Sequence, residues 1–266
     1  MAPPRVYKVD AVVLKHTRLG ETDRVLTLFT PHLGKMRAVA KGVAKPTSRM
    51  AGHLQPLTQT SLLVARGRTL DVITQAQTLD SFRLLREELW RTSAGLYLAE
   101  LVDRFTEEHS ESRPLYDLVA RALRWLCVAP AADLPLRSFE IQMLEHLGYR
   151  PELYHCLGCM EELEPRAHRF SPQDGGLRCA RCIGAEGGRP VSLNAQKVLR
   201  LLQRDDRSTI ARLRLDPSLA AELERLLRQY LTYLLERDLK STAFLDLVRR
   251  QEAAGGTPAG ATPATG

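Results

Sequence analysis

Short alternating runs of apolar and polar residues fill the first eighty positions, and longer stripes at helical spacing fill most of the remainder. Five β-rich runs stand out: YKVDAVVLKH (7–16), RVLTLFT (24–30), KMRAVAKGV (35–43), LTQTSLLVARG (57–67) and TLDVITQAQTL (69–79). Gly, Asp and Pro in LGETD and PHLGK supply the first two turns, Arg66-Gly67-Arg68 closes a hairpin, and 45–53 forms a longer polar loop. Five short strands in one small segment suit a closed or nearly closed barrel. The oligonucleotide-binding (OB) fold is the commonest five-stranded form, with an SH3-like barrel as the alternative.

From about residue 81 the period lengthens. Leu98, Leu101, Val102 and Phe105 make one stripe, Leu115, Leu118, Val119, Ala122 and Leu126 a second, and Phe139, Met143 and Leu147 a third. Leu219, Leu223, Leu226, Leu227, Tyr230, Leu231 and Leu234 mark the longest helix. Stripes of this width form the core of a helical bundle. The fold class is α+β: an N-terminal five-stranded OB-fold barrel over 1–80, then a mostly helical domain over 81–252 with an inserted element at 150–190. The tail from 253 to 266, AAGGTPAGATPATG, has nothing to bury and is expected to be disordered.

The inserted element carries the sharpest motif. Cys156-Leu157-Gly158-Cys159 is followed, after nineteen residues, by Cys179-Ala180-Arg181-Cys182. Two residues between cysteines let a tight turn aim both sulfurs at one point, and two such knuckles complete a tetrahedron around one structural Zn²⁺ at about 2.3 Å per thiolate. A four-thiolate site has no open position for substrate, so the metal reads as structural. The intervening segment is polar and poor in apolar residues, so the metal is expected to supply most of its folding energy. Cys127, alone in LRWLCVAP, reads as a small buried hydrophobe.

Charge adds a direction. Residues 1–80 hold twelve Lys plus Arg against five Asp plus Glu, a surplus equal to the +7 of the whole chain, while the other residues carry 26 of each sign and cancel. A basic excess confined to one segment is the footprint of a polyanion-binding module. In the third strand Lys35, Arg37 and Lys41 share one face with Val39, and Met36, Ala38 and Ala40 share the other, so one side is basic and the other packs. Lys45 and Arg49 extend the basic strip, Arg18 and Arg24 flank the first turn, and Arg66 lies in the last hairpin. Aromatic platforms are few: Tyr7, Phe29 and Phe82 lie near the barrel, and Phe29 alternates with Val25 and reads as core. Stacking is then a minor contribution, and single and double strands should compete for one site.

Several classes are excluded or disfavoured. There is no phosphate loop, dinucleotide fingerprint, nucleophile elbow or HExxH, and the seven histidines are scattered. A binding protein is expected, and no enzyme. No apolar run approaches the ~20 residues needed to span a bilayer, and MAPPRVYKVD lacks the apolar stretch of a signal peptide. No membrane association is expected, and the protein is placed in the cytoplasm, at the nucleoid.

The order of parts resembles the bacterial recombination mediator family RecO. The resemblance is densest in AVVLKHTRLGETDRVLTLFTPHLGKMRAVAKGVAKPTSRMAGHLQP, at Gly20-Glu21-Thr22-Asp23, Gly34-Lys35, Ala40-Lys41-Gly42, Lys45-Pro46 and Ser48-Arg49. A second signature runs from Phe139 to Tyr149 (FEIQMLEHLGY) into the Cys156 knuckle. The resemblance implies a non-enzymatic role in recombinational repair: binding single- and double-stranded DNA, annealing complementary strands, and working with RecR to load RecA onto DNA coated by single-strand-binding protein, whose tail contacts the helical domain. From the residues alone, a zinc-ribbon factor whose basic barrel binds RNA remains the rival.

Overall fold

The computed structural model describes residues 5–183, 187–236 and 239–255. Strands β1 (Val6–Leu19), β2 (Asp23–Thr30), β3 (Gly34–Ala40), β4 (Gln59–Ala65) and β5 (Asp71–Asp80) close into a barrel in the order β1-β2-β3-β5-β4. The first half of β1 pairs with β4 and its second half with β2, while β3 meets β5 in parallel at Ala38–Asp71 and Val39–Val72. This is OB connectivity, and each of the five β-rich runs supplies one strand.

Alternation explains the barrel. Val9, Ala11 and Val13 of β1, Leu26 and Leu28 of β2, Met36, Ala38 and Ala40 of β3, Leu62 and Val64 of β4 and Ile73 of β5 point inward as one buried cluster, closed by Val43 and Leu54. The opposite side of β1 is apolar too. Val12 and Leu14, with Phe29 of β2 and Leu57, belong to the larger cluster formed by the helices. Phe29 is therefore core, but the core between barrel and helices; its ring lies 6.4 Å from that of Tyr116.

The helices are α1 (Leu89–Phe105), α2 (Arg113–Val128), α3 (Asp133–His146), α4 (Ala180–Ile183), α5 (Leu193–Gln203), α6 (Arg207–Ile210), α7 (Pro217–Leu235) and α8 (Lys240–Gly255). Their starts follow local chemistry. The side chains of Ser112, Ser192 and Asp216 cap α2, α5 and α7, with Pro in the first turn of α2 and α7. Helix α8 takes its cap from another helix: the Glu100 carboxylate of α1 accepts from the amides of Lys240 and Ser241 at 3.1 and 2.7 Å. Because α8 runs to Gly255, the first residues of the expected tail are helical; 256–266 lie outside the described residues.

The second signature is a packing device. Glu140 is fully buried and accepts from the Tyr97 hydroxyl at 2.7 Å and from Arg137 at 2.6 Å, joining α1 to α3. Gln142 donates to the carbonyls of Leu202 and Gln203 at the end of α5. A buried ion pair of this kind is strongly destabilised when one partner is removed, which accounts for a glutamate inside an apolar stripe.

The segment between the cysteine pairs holds two strands, β6 (His168–Ser171) and β7 (Gly176–Arg178), which form a sheet with β8 (Arg189–Val191) from beyond the second pair, in the order β7-β6-β8. Its few apolar residues, Leu163, Phe170 and Leu177, enter the main core, and Phe170 meets Tyr230 edge-on at 5.3 Å. Arg200 donates twice to the carbonyl of Leu153, and Gln203 donates to that of Pro151.

Since Phe29 fills the junction of the two halves, Phe29→Ala is expected to lower the unfolding free energy by about 3–5 kcal/mol, checked by denaturant titration. A loss below about 1 kcal/mol would show that the junction collapses around the gap.

Candidate nucleic-acid interface and metal centre

Register defines which barrel side chains face outward. Lys15, Thr27 and Arg37 pair in a row across β1, β2 and β3, as do Thr17, Val25 and Val39, alternating with the inward Leu26–Ala38 and Leu28–Met36 pairs; Thr27 and Val39 are buried, and Lys15, Thr17 and Arg37 are the exposed members. This β2–β3 face is bounded by the β1–β2 turn on one side. On the other lies the β4–β5 turn, which the Ala38–Asp71 pairing sets beside β3. In OB folds this face and these two loops bind oligonucleotides.

The candidate cations divide into three groups. Arg18 and Arg24 pair across the β1–β2 hairpin, and among the described residues their guanidiniums reach only backbone carbonyls, of Gly20 and of Glu21 and Asp23. Lys41, Lys45 and Arg49 are exposed and, among the described residues, have no carboxylate at ion-pair distance; Arg66 is exposed with its guanidinium 5.2 Å above the Tyr7 ring. Arg37 is half exposed, with Nε 2.6 Å from Glu108 Oε1. Lys35 departs from the expectation of a solvent-facing cation. Its side chain is 12% exposed, and its ammonium donates to the Asp103 carbonyl at 2.5 Å and faces the Asp103 carboxylate at 3.5 Å. Lys35 sits opposite Phe29, so the helices that cover one cover the other.

Two features escaped the sequence reading. Arg68, exposed in the same turn as Arg66, adds a cation that its neighbour could have signalled. Asp23 joins the two basic loops: its Oδ1 accepts from the Gly42 amide at 2.7 Å, while the carbonyl of Thr22 accepts from the Ala44 amide at 2.9 Å. The GETD and Lys41-Gly42 motifs are thus two halves of one contact. The Gly42 amide, aided by the charges of Lys41 and Lys45, holds the Asp23 carboxyl below its ordinary range.

At the other end of the molecule the four cysteine sulfurs come together, all within 4.8 Å of one another. Gly158 allows this: a Cβ there would stand 2.5 Å from the Cβ of Cys182, so only glycine lets the first knuckle cross the second. The donor set suits a soft divalent cation. Burial opposes ionisation of Cys156, yet amides of Cys179 and Gly158 donating to its sulfur at 3.3 Å help bring it down to about 6. Cys182, sharing its proton with Cys179 and Cys159, is pushed up to about 12. His155 is exposed beside Glu152 and outside the cluster. Cys127 is partly buried against the core, and burial pushes its thiol up.

The family models for the N-terminal and C-terminal parts of Recombination protein O match residues 1–82 and 86–243. The chain belongs to the RecO family. It is 44% identical to the DNA repair protein RecO of Roseiflexus sp. (strain RS-1) over 247 residues, 92% of this chain and 87% of that protein. Proteins of the same name from Pelotomaculum thermopropionicum and Dehalococcoides mccartyi are 39% and 36% identical, with 95% and 94% of this chain and 98% of each relative covered. In this RecO chain no helix of the described residues is long and apolar enough to cross a membrane.

Replacing Cys156 with Ser is expected to abolish stoichiometric metal in native mass spectrometry. In hydrogen exchange it should deprotect the Met160 and Cys182 amides, which bond within the knuckles, but leave that of Leu177, which bonds to Glu152. Loss of protection at Leu177 as well would show that metal folds the entire element.

Proposed function

We propose that this protein is a DNA-repair and recombination mediator that holds single- and double-stranded DNA by its phosphates across the barrel. With RecR, it helps load RecA onto DNA coated by single-strand-binding protein. The observation that carries this reading is the set of exposed cations that, among the described residues, have no carboxylate at ion-pair distance, Lys41, Lys45, Arg49, Arg66 and Arg68, around the outer β2–β3 face of a RecO-family barrel. Arg18, Arg24 and Arg37 complete the set, and Lys35 does not enter it.

The mechanism is charge neutralisation. Each phosphate that meets Lys or Arg releases condensed counterions, and two complementary strands can approach one another once their mutual repulsion is screened. Aromatic stacking contributes little here. Phe29 and Phe82 are buried, and Tyr7 donates to Asp71 at 2.6 Å with its ring under Arg66. The role is non-enzymatic and is exercised on the nucleoid in the cytoplasm. One Zn²⁺ held by Cys156, Cys159, Cys179 and Cys182 braces the inserted element without an open coordination position.

For the tail of single-strand-binding protein, the helical domain offers a cleft of about 210 Å³ lined by Leu118, Trp125, Phe139 and Ile210 together with Arg121 and Arg207. A peptide end inserts apolar side chains into such a cleft and offers its terminal carboxylate to the guanidiniums, in competition with Asp205, which pairs with both arginines.

Changing Arg37, Lys41 and Lys45 together to Glu is expected to weaken binding of an oligo-dT probe at least tenfold. The slope of log affinity on log salt should become shallower by about 2, with the melting temperature nearly unchanged. Lys35→Glu, facing Asp103, is instead expected to destabilise the fold by roughly 2 kcal/mol. Unaltered oligo-dT binding by the triple variant, or an RNA oligomer outcompeting DNA of equal length by more than tenfold, would overturn the reading.

A further inference from the structure

The first half of β3 has an open edge, because pairing with β5 starts only at Ala38. The segment joining α1 to α2 fills that edge. Glu108 bridges to Lys35 in parallel, and the His109 amide donates to the Lys35 carbonyl at 2.8 Å. The fit is close: Gly34, at φ +60°, would with a Cβ stand 2.0 Å from the Ser110 carbonyl oxygen. Uncovered strand edges recruit foreign strands, so covering this one has a structural use of its own. That covering also carries Glu107, Glu108 and Glu111 to the border of the basic face, with Glu111 3.4 Å from His32 at the β2–β3 turn.

We propose that this strap is an intramolecular competitor for the polyanion site, in which Glu108 occupies the Arg37 guanidinium in the free protein and yields it to a phosphodiester. The inference rests on the reading of the β2–β3 face as the DNA interface. Among the described residues, two acidic residues from the helical half pair with lysines or arginines of the barrel, and they differ in burial. Asp103 is 15% exposed and takes the covered Lys35 together with the half-exposed Lys15, so its carboxylate is part of the junction. Glu108 is 43% exposed and Arg37 51%, so theirs is a solvent-accessible pair that water and ions can exchange.

Such a pair is weak, and a phosphodiester has an advantage that a side-chain carboxylate lacks. It belongs to a polymer that releases condensed counterions when it is neutralised. Displacement is therefore favoured at low salt and becomes less so as salt rises. The strap tunes affinity for nucleic acid; it does not abolish it.

The test is a double-mutant cycle with fluorescent oligo-dT, reading anisotropy across a salt series for wild type, Glu108→Gln, Arg37→Gln and the double variant. Glu108→Gln is expected to bind about two- to fivefold tighter at low salt, the range that an exposed ion pair supports, with the gain narrowing as salt is raised. Arg37→Gln should bind more weakly, and in its background the Glu108 change should have no effect. A gain from Glu108→Gln that persists with Arg37 replaced would show simple long-range repulsion, and no gain or a loss would show that Glu108 merely orients Arg37; either overturns the competition. Arg37→Gln binding as well as wild type would count against the interface reading at that residue, a different failure. The pair is exposed, so unchanged melting temperatures and far-ultraviolet circular dichroism are expected throughout.

Discussion

The carboxylate of Asp103 stands where the barrel meets the helices, and the arrangement of charge in the molecule depends on it. By taking Lys15 and Lys35 together it covers Lys35, pairs the half-exposed Lys15 and pins β1 and β3 to the end of α1. The apolar contact beside it, Val12, Leu14 and Phe29 against the helical core, supplies the burial that makes this geometry persist. A charged group at 15% exposure orients the junction while the methyl and ring contacts stabilise it. Among the described residues, the exposed cations without a carboxylate at ion-pair distance include Lys41, Lys45 and Arg49 in the loop after β3 and Arg66 and Arg68 in the β4–β5 turn.

Much of this architecture was legible because it is local. A strand has period two, so Met36, Ala38 and Ala40 declared their side of β3 without reference to any distant residue, and the loops around Gly20 and Gly67 declared themselves by composition. The cysteine quartet was legible for a similar reason: each knuckle is built within four residues, and one metal geometry accommodates two of them. Phe29 was legible as buried, but not as to what buries it, since its partner Tyr116 lies on a helix from the other half.

What escaped was long-range pairing. Alternation placed Lys35 with Arg37 on one face, and it does lie there, but Asp103 stands 68 positions further on and nothing near Lys35 announces it. The polar segment between the knuckles hides its apolar anchors in its average: Phe170 and Leu177 are a small fraction of it, yet both enter the main core, Phe170 edge-on against Tyr230.

The scarcity of stacking rings on the barrel has a bearing on strand pairing. A protein that sandwiched nucleobases between aromatic side chains would have to surrender each base before a complement could reach it. Contact restricted to the sugar-phosphate side leaves the Watson–Crick edges pointing away from the protein. A strand held in that way is presented already open to its complement.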